Sequence, residues 1–322
     1  MFGADLRRQV THMCVAGGAK VKRTAARTRH FGGCRGATNR LYCRAMDELG
    51  FHKMHSLGND FVIVDRRSRQ LPLSNAQVRL IADRRRGVGC DQLLALEPSD
   101  RADLFMRVYN PDGSEAEACG NGTRCVARLI MEQHATSRVR IETRADVLVV
   151  SVGTQGYTVD MGRPRFGWDE IPLAEPMDTL ALDLALGPLT RPVALSMGNP
   201  HAVFLVDDAD AIPLEQLGPA LEHHPLFPQR ANIGVAEVRD PRTIRLRVWE
   251  RGAGLTAACG SGACAALVAA IRRGLAERSA DLLLDGGRLQ IAWTEENRVL
   301  MTGPASYGYS GRLHPELLAA AP

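Results

Sequence analysis

The chain is nearly without lysine: of 322 residues, only Lys20, Lys22 and Lys53 carry a side-chain amine. A pyridoxal-phosphate enzyme needs a Schiff-base lysine in its core. Beyond Lys53 there is none, so that chemistry is all but excluded. No apolar run approaches the roughly 18 residues of a membrane span. Metal and redox spacings are missing too. Cys119 and Cys125 are separated by five residues, Cys259 and Cys264 by four, and the second of each pair falls on an apolar helical stretch. Structural zinc sites use intervals of about two to four, and a redox pair reads Cys-x-x-Cys. Gly120 and Gly122 lack the Gly-Lys-Ser/Thr that would make a phosphate loop. The eight cysteines show no dense disulfide framework, so reduced thiols in a cytoplasmic protein are expected.

Charge is unevenly spread. Residues 1–45 hold ten Lys or Arg against Asp5 alone, which is +9 of a chain total of +4, leaving −5 on residues 46–322. The body is mildly acidic, and neither nucleic acid nor a membrane is expected as a partner. The extension, residues 1–48, has no apolar segment of the secretory kind. Its Arg-rich, acid-poor composition suits an organelle transit peptide, and the plainer reading is a gene start placed too early, with initiation at Met46. In either case it is expected to be disordered and dispensable.

What the chain does have is a repeat. Ala118-Cys119-Gly120-Asn121-Gly122 returns 140 residues later as Ala258-Cys259-Gly260-Ser261-Gly262. The same offset carries Ser56, Gly58 and Asn59 onto Ser196, Gly198 and Asn199, and Gln92 onto Asn232. It carries Arg107-Val108-Tyr109 onto Arg247-Val248-Trp249, and Met161 and Pro164 onto Met301 and Pro304. Such a period is far longer than a solenoid unit, so it reads as two copies of a whole domain. Each copy runs strand, Gly-Asn turn, strand, helix, strands, then a central helix after the Cys-Gly motif. The first such pair of strands spans Phe51 to Asp65, and Ser74 is the expected N-cap of the helix that follows. The expectation is an α+β fold of two pseudo-symmetric domains, each a mostly antiparallel sheet wrapped round a central helix. The active site would lie in the interdomain cleft. The domains are set at 49–165, joined by the tail 305–322, and at 166–304, with a Pro- and Gly-rich linker over 163–178.

The motif sits where strand character stops and helix begins. A helix start leaves about four backbone N–H groups unpartnered and carries partial positive charge. A substrate carboxylate would dock there, and the same field would lower a thiol's pKa and make it a usable base near neutral pH. One such cysteine alone is more often an inert small hydrophobe; two in register reverse that reading. Held between two thiols, an α-carbon would lose its proton to one and regain one from the other. That is epimerisation without a cofactor or metal. The repeat also aligns Asn59 with Asn199, Gln92 with Asn232, and Asn110 with Glu250. With Arg251 as a carboxylate clamp and His201 beside Asn199, these amides and charges suit a zwitterion with more than one carboxylate and ammonium group.

His55-Ser-Leu-Gly-Asn-Asp-Phe61, Tyr109-Asn-Pro-Asp-Gly-Ser114, Cys119-Gly-Asn-Gly-Thr-Arg124, Met197-Gly-Asn-Pro-His201, Trp249-Glu-Arg-Gly252 and Ala258-Cys-Gly-Ser-Gly262 resemble the diaminopimelate epimerases in order and spacing. The likeness runs from about residue 50 to the end. It implies interconversion of LL- and meso-2,6-diaminopimelate, serving lysine and peptidoglycan synthesis, with Cys119 and Cys259 as acid/base thiols and His201 and Glu250 beside them. It implies substrate contacts at Asn59, Gln92, Asn110, Gly120, Asn121, Asn199, Asn232, Glu250, Arg251, Gly260 and Ser261. It also implies a homodimer with Tyr309 at the contact. The extension before Met46 and the Ala231-Asn232-Ile233-Gly234 segment, where the family more often has an apolar residue before the asparagine and an aromatic two after it, depart from the family's pattern. Two rivals stand beside this reading. A proline-racemase-like enzyme shares the two-thiol design but prefers histidine where Asn121 stands. A non-enzymatic amino-acid-binding module would explain the amides but not the paired cysteines.

Overall fold

The computed structural model describes residues 49–68, 73–117 and 119–319; the expectations for residues 1–48, for Ala118 and for residues 320–322 lie outside them. All the described residues belong to one compact unit. The first copy runs β1 (Leu49–Ser56), β2 (Asn59–Asp65), α1 (Asn75–Ala82), β3 (Gln92–Glu97), β4 (Leu104–Tyr109), β5 (Glu115–Ala116), α2 (Gly120–His134), β6 (Arg138–Glu142), β7 (Val147–Gly153) and β8 (Gly156–Asp160). After a small hairpin, β9 (Ala185–Leu186) and β10 (Leu189–Thr190), the second copy follows the same plan. It comprises β11 (Val193–Ser196), β12 (Pro200–Val206), α3 (Leu214–Glu222), β13 (Asn232–Asp240), β14 (Thr243–Glu250), β15 (Gly254–Thr256), α4 (Gly260–Arg272), β16 (Ser279–Leu284), β17 (Gly287–Trp293) and β18 (Val299–Gly303). The chain closes with β19 (Ser306–Leu313) and α5 (Pro315–Ala319).

Hydrogen-bonded pairing makes one 17-stranded sheet of both copies. Most neighbours are antiparallel; the parallel pairs are β2–β3 and β4–β6, repeated as β12–β13 and β14–β16. The copies join where β8 and β18 run antiparallel, with Val159 opposite Met301. Ser74 caps α1 as expected: its hydroxyl accepts the Gln77 N–H while the Gln77 side chain accepts the Ser74 N–H, a reciprocal capping box.

The constant offset of 140 does not run to the end. Leu104 pairs with Ile141, and its counterpart Ile244 pairs with Leu282, one residue late. A second residue enters at the next hairpin, where the turn from Trp293 to Val299 is longer than that from Gly153 to Gly156. Met301 is therefore the counterpart of Val159, not of Met161. Position in the ladder, rather than the shared methionine, decides the equivalence.

The apolar helices α2 and α4 lie against strands drawn from across their own half of the sheet, β1, β2, β6, β7 and β8 for α2, and β11 to β14 and β16 to β18 for α4. A helix contacted on so many sides must be apolar nearly all round. Cys125, Val126, Ala127, Leu129 and Ile130 in α2 are buried, as is every residue from Ala263 to Ala270 in α4. The outer face of each half is covered separately, by α1 and α5 in the first and by α3 in the second. Sequence patterning misses β16 and β19. The second, Ser-Tyr-Gly-Tyr-Ser-Gly-Arg-Leu, has no apolar alternation and becomes a strand because β1 offers an open edge, which it pairs from Leu49–Leu313 to His55–Ser306. Among the described residues no helix is long and apolar enough to cross a membrane.

Candidate active site

Each motif cysteine is the N-cap of its helix. Cys119 has extended backbone, φ −145° and ψ 105°, and its Sγ accepts the Gly122 N–H at 3.3 Å. Cys259 repeats this with φ −111°, ψ 114° and the Gly262 N–H at 3.4 Å. The two helix starts abut. A Cβ on Gly260 would sit 3.9 Å from the Gly120 Cα and only 2.9 Å from Met301 Sδ, and one on Gly120 would sit 2.9 Å from Met301 Cε. Glycine is what lets the two thiol-bearing turns approach.

Around them the polar residues fall into matched pairs. Asn121 Nδ2 donates to Asn59 Oδ1 at 3.3 Å, and in the other half Asn199 Nδ2 donates to Ser261 Oγ at 3.3 Å. Gln92 donates to Asn110 Oδ1 at 3.1 Å, and the counterpart of Gln92, Asn232, accepts the Arg251 N–H at 3.0 Å. The symmetry breaks where charge enters. His201 Nε2–H donates to Asn199 Oδ1 at 2.9 Å, a tautomer fixed by the amide oxygen it faces. The Glu250 carboxylate accepts from Thr256 Oγ1. Ser261 Oγ lies 3.7 Å from Cys259 Sγ. Arg251 keeps its guanidinium half-exposed, with one Nη donating to the Gln229 carbonyl at 3.1 Å.

The turn bearing Glu250 and Arg251 is pinned from behind by a residue that sequence reasoning passed over. Glu222 is buried at 3% exposure, and its carboxylate takes the Trp249 indole N–H at 2.7 Å and the Gly252 N–H at 2.9 Å. Thr256 was missed as well, although the repeat carries a signal for it: its counterpart Ala116 has no hydroxyl.

The expected low thiol pKa is not found. Burial pushes the Cys119 thiol up to about 11, with the Gly122 N–H pulling down and the Glu250 charge pushing up. Cys259 is raised well above the ordinary thiol value, first by burial and then by Glu250, against the weaker pull of the Gly262 N–H and Ser261. The helix-start field acts as anticipated but is outweighed by desolvation of the thiolate. Burial likewise raises Glu250, opposed by its bonds to Thr256 and Cys259. His201 is depressed to about 3 by burial and by the Arg251 charge, so it stands as a neutral imidazole.

Cys119, Cys259, Glu250, Ser261, Asn199 and His201 are thus brought together with Asn59 and Asn121, while Gln92 is bonded to Asn110 and Asn232 to Arg251. Tyr309 is not among them; it lies half-exposed on β19, its ring edge-on to Phe51. Cys259 is buried and Cys119 partly so; a separate cleft of roughly 500 Å³ lies along residues 162–167, bordered by Asp146, Glu170, Asn297 and Arg298. Among the described residues no three metal-ligating side chains cluster.

Known proteins resemble this chain. The family model described as diaminopimelate epimerase matches residues 51–167 and 193–308, one stretch for each copy of the repeat. A diaminopimelate epimerase from Acidiphilium cryptum is 55% identical over 270 residues, which is 84% of this chain and 98% of that protein. One from Rhodospirillum centenum is 56% identical over 271 residues, 83% of this chain and 93% of that one. Among solved structures, a hydroxyproline epimerase from Agrobacterium vitis superposes with a TM-score of 0.60 over 83% of this chain and 91% of its own, at 16% identity. A phenazine biosynthesis protein of Bacillus anthracis gives 0.59 over 84% and 100%, at 18% identity. These distant likenesses speak for the fold alone, whereas the family model and the close relatives span both thiol motifs. The chain belongs to the diaminopimelate epimerase family.

Proposed function

We propose that this chain, a diaminopimelate epimerase by family, interconverts LL- and meso-2,6-diaminopimelate with Cys119 and Cys259 as its two acid/base groups. The observation that carries this is the pair of thiols, each capping one of two abutting helix starts. The substrate's α-carboxylate docks on the N–H-lined starts of α2 and α4. Cys119, as thiolate, takes the α-proton from one face, and the C–H electron pair delocalises into the carboxylate. Cys259 then delivers its S–H proton to the opposite face, leaving the thiols with exchanged protonation; the reverse reaction runs the same steps backwards.

Burial raises both thiols, so one must be helped to ionise before it can take the proton. The substrate ammonium supports that step by offsetting the Glu250 charge, which raises both thiols. Glu250 receives the ammonium, and neutral His201 orients Asn199 without adding charge. Arg251 clamps the distal carboxylate, with Asn59, Gln92, Asn110, Asn121, Asn199, Asn232 and Ser261 supplying the amide and hydroxyl contacts. Since thiols and carboxylate account for every proton moved, the reaction calls for no cofactor. We assign the enzyme to the cytoplasm, where its thiols stay reduced, and place a homodimer contact on the β1–β19 face, where Tyr307 and Tyr309 are exposed.

The test is incubation of the purified chain with LL-diaminopimelate in deuterated water. Deuterium should enter the inverted centre of the product. Cys119→Ala and Cys259→Ala should each lower epimerisation by about 10²-fold or more with melting temperature preserved. Near wild-type turnover in either variant would rule out the two-thiol mechanism.

A further inference from the structure

α2 carries an arginine in its second turn, at the position where the repeat gives α4 Cys264. Arg124 is completely buried, the largest side chain among the described residues to be so. All its partners are neutral. Nη2 donates to Ser56 Oγ and to Asn121 Oδ1, both at 2.6 Å, Nε to the Pro304 carbonyl at 3.3 Å, and Nη1 to Met301 Sδ at 3.2 Å. Among the described residues no carboxylate forms an ion pair with it. Burial lowers its pKa to about 10, which still leaves it cationic at neutral pH. A guanidinium buried without a counter-charge is costly, and an aliphatic side chain would fill the same space at less expense. Its presence there is therefore accounted for by the bonds it makes.

Those bonds control Asn121. With Oδ1 held by Arg124, the amide has one orientation left. Nδ2 then points across the seam, donating to the Ala258 carbonyl at 3.0 Å as well as to Asn59. Ala258 immediately precedes Cys259. One side chain of the first helix start is thus bonded to the backbone beside the second thiol. Arg124 itself is gripped by β1 through Ser56, by β18 through Met301, and by Pro304 beyond it. The second half has no such device, having Ser261 and Cys264 at the matching places.

We propose that Arg124 is a positioning residue for epimerisation, orienting Asn121 so that the first thiol-bearing helix start is latched to Ala258 and the two thiols face one α-carbon. This rests on the two-thiol reading above.

Two reactions separate this role from a merely structural one. Epimerisation needs both thiols in register. A β-chloro analogue of diaminopimelate needs only one: the thiolate takes the α-proton, the C–H pair becomes the α,β double bond, and chloride leaves with the C–Cl pair. Arg124→Lys keeps the charge but loses the fork that holds Ser56 and Asn121 together. Its kcat for epimerisation should fall roughly 100-fold, the loss expected of a misplacement of about 1 Å, while chloride elimination stays close to the wild-type rate. If R124K does not fold, Ser56→Ala decides by the same ratio, since it removes one Nη2 acceptor and leaves both thiols in place. Equal losses in the two reactions, or undiminished epimerisation, would overturn the proposal. The wild-type chain in the same assay tests the two-thiol reading separately.

Discussion

Gly218→Ala tests how the site's acidic turn is supported. Gly218 is a buried residue of α3, and its missing side chain is occupied by the indole of Trp249. An added Cβ would lie 2.4 Å from Trp249 Cδ2, 2.6 Å from Cγ and 2.8 Å from Cε3. These are fused-ring atoms close to the backbone, so no flexible tip can swing aside. In an exposed helix interior the exchange would stabilise by about 1 kcal/mol through propensity. Here Pro219 follows, and its ring crowds a Cβ on the preceding residue in helical conformation, which erodes that gain. Overpacking of this kind costs about 1–3 kcal/mol. Moving the indole also loosens the bond from Trp249 Nε1 to the buried Glu222 carboxylate, about 1.5–3 kcal/mol for a hydrogen bond to a charged group. The net expectation is a destabilisation of about 3 kcal/mol, read as a melting temperature lower by about 6–12 °C. Because Trp249 adjoins Glu250, kcat measured below the new melting point should fall as well. A melting temperature equal to or above wild type would refute the reasoning, since it would show that the indole yields without cost.

Other outcomes follow from the same packing. Inactivation of the substrate-free enzyme by iodoacetamide should keep accelerating above pH 9, because burial raises both thiols, and Cys119, the less buried of the two, should be alkylated before Cys259; a plateau near pH 7 with early Cys259 modification would contradict this. His201 has a folded pKa of about 3 against 6.5 when free, so its contribution is complete above 6.5 and is lost as pH falls from there towards 3. Urea melts of wild type minus His201→Gln should show that difference shrinking by several kcal/mol, at about 1.4 kcal/mol per pH unit, and a flat difference between pH 6.5 and 4 would sink the claim. Tyr309→Glu, which sets a charge on the exposed β1–β19 face, should convert dimer to monomer in sedimentation velocity; an unchanged sedimentation coefficient would place the contact elsewhere.

Much of the architecture is legible in the sequence, because a duplicated domain states its own boundaries and its glycines mark the helix starts. The paired cysteines, the Asn59/Asn199 and Gln92/Asn232 pairs and the Ser74 N-cap can all be read from spacing. What escapes reading depends on depth. The sign of the thiol shift follows from the contest between a helix-start field and desolvation, and only the packed structure says how dry the site is. Arg124 escapes notice because the repeat pairs it with Cys264 and an arginine near a helix start ordinarily faces solvent. Glu222, an acidic residue at the end of an amphipathic helix, is likewise indistinguishable from a surface carboxylate until Trp249 and Gly252 are seen to bond to it. β19 is unreadable for a different reason: its strand conformation comes from its partner.

The pairing of β19 with β1 sets a timetable for synthesis. Chains fold from the N-terminus as they leave the ribosome, at about 5–20 residues per second. Here the first half is complete in sequence when β8 emerges, yet β1 must wait for β19 to fill its open side. Until then β1 keeps one edge unpaired, the kind of surface that recruits other chains. The newborn first half is thus exposed for the whole time that the second half is being made. A nascent chain stalled after Gly303 should be cut by protease at β1 far more readily than the finished protein, and the cut should disappear once residues 306–313 are released.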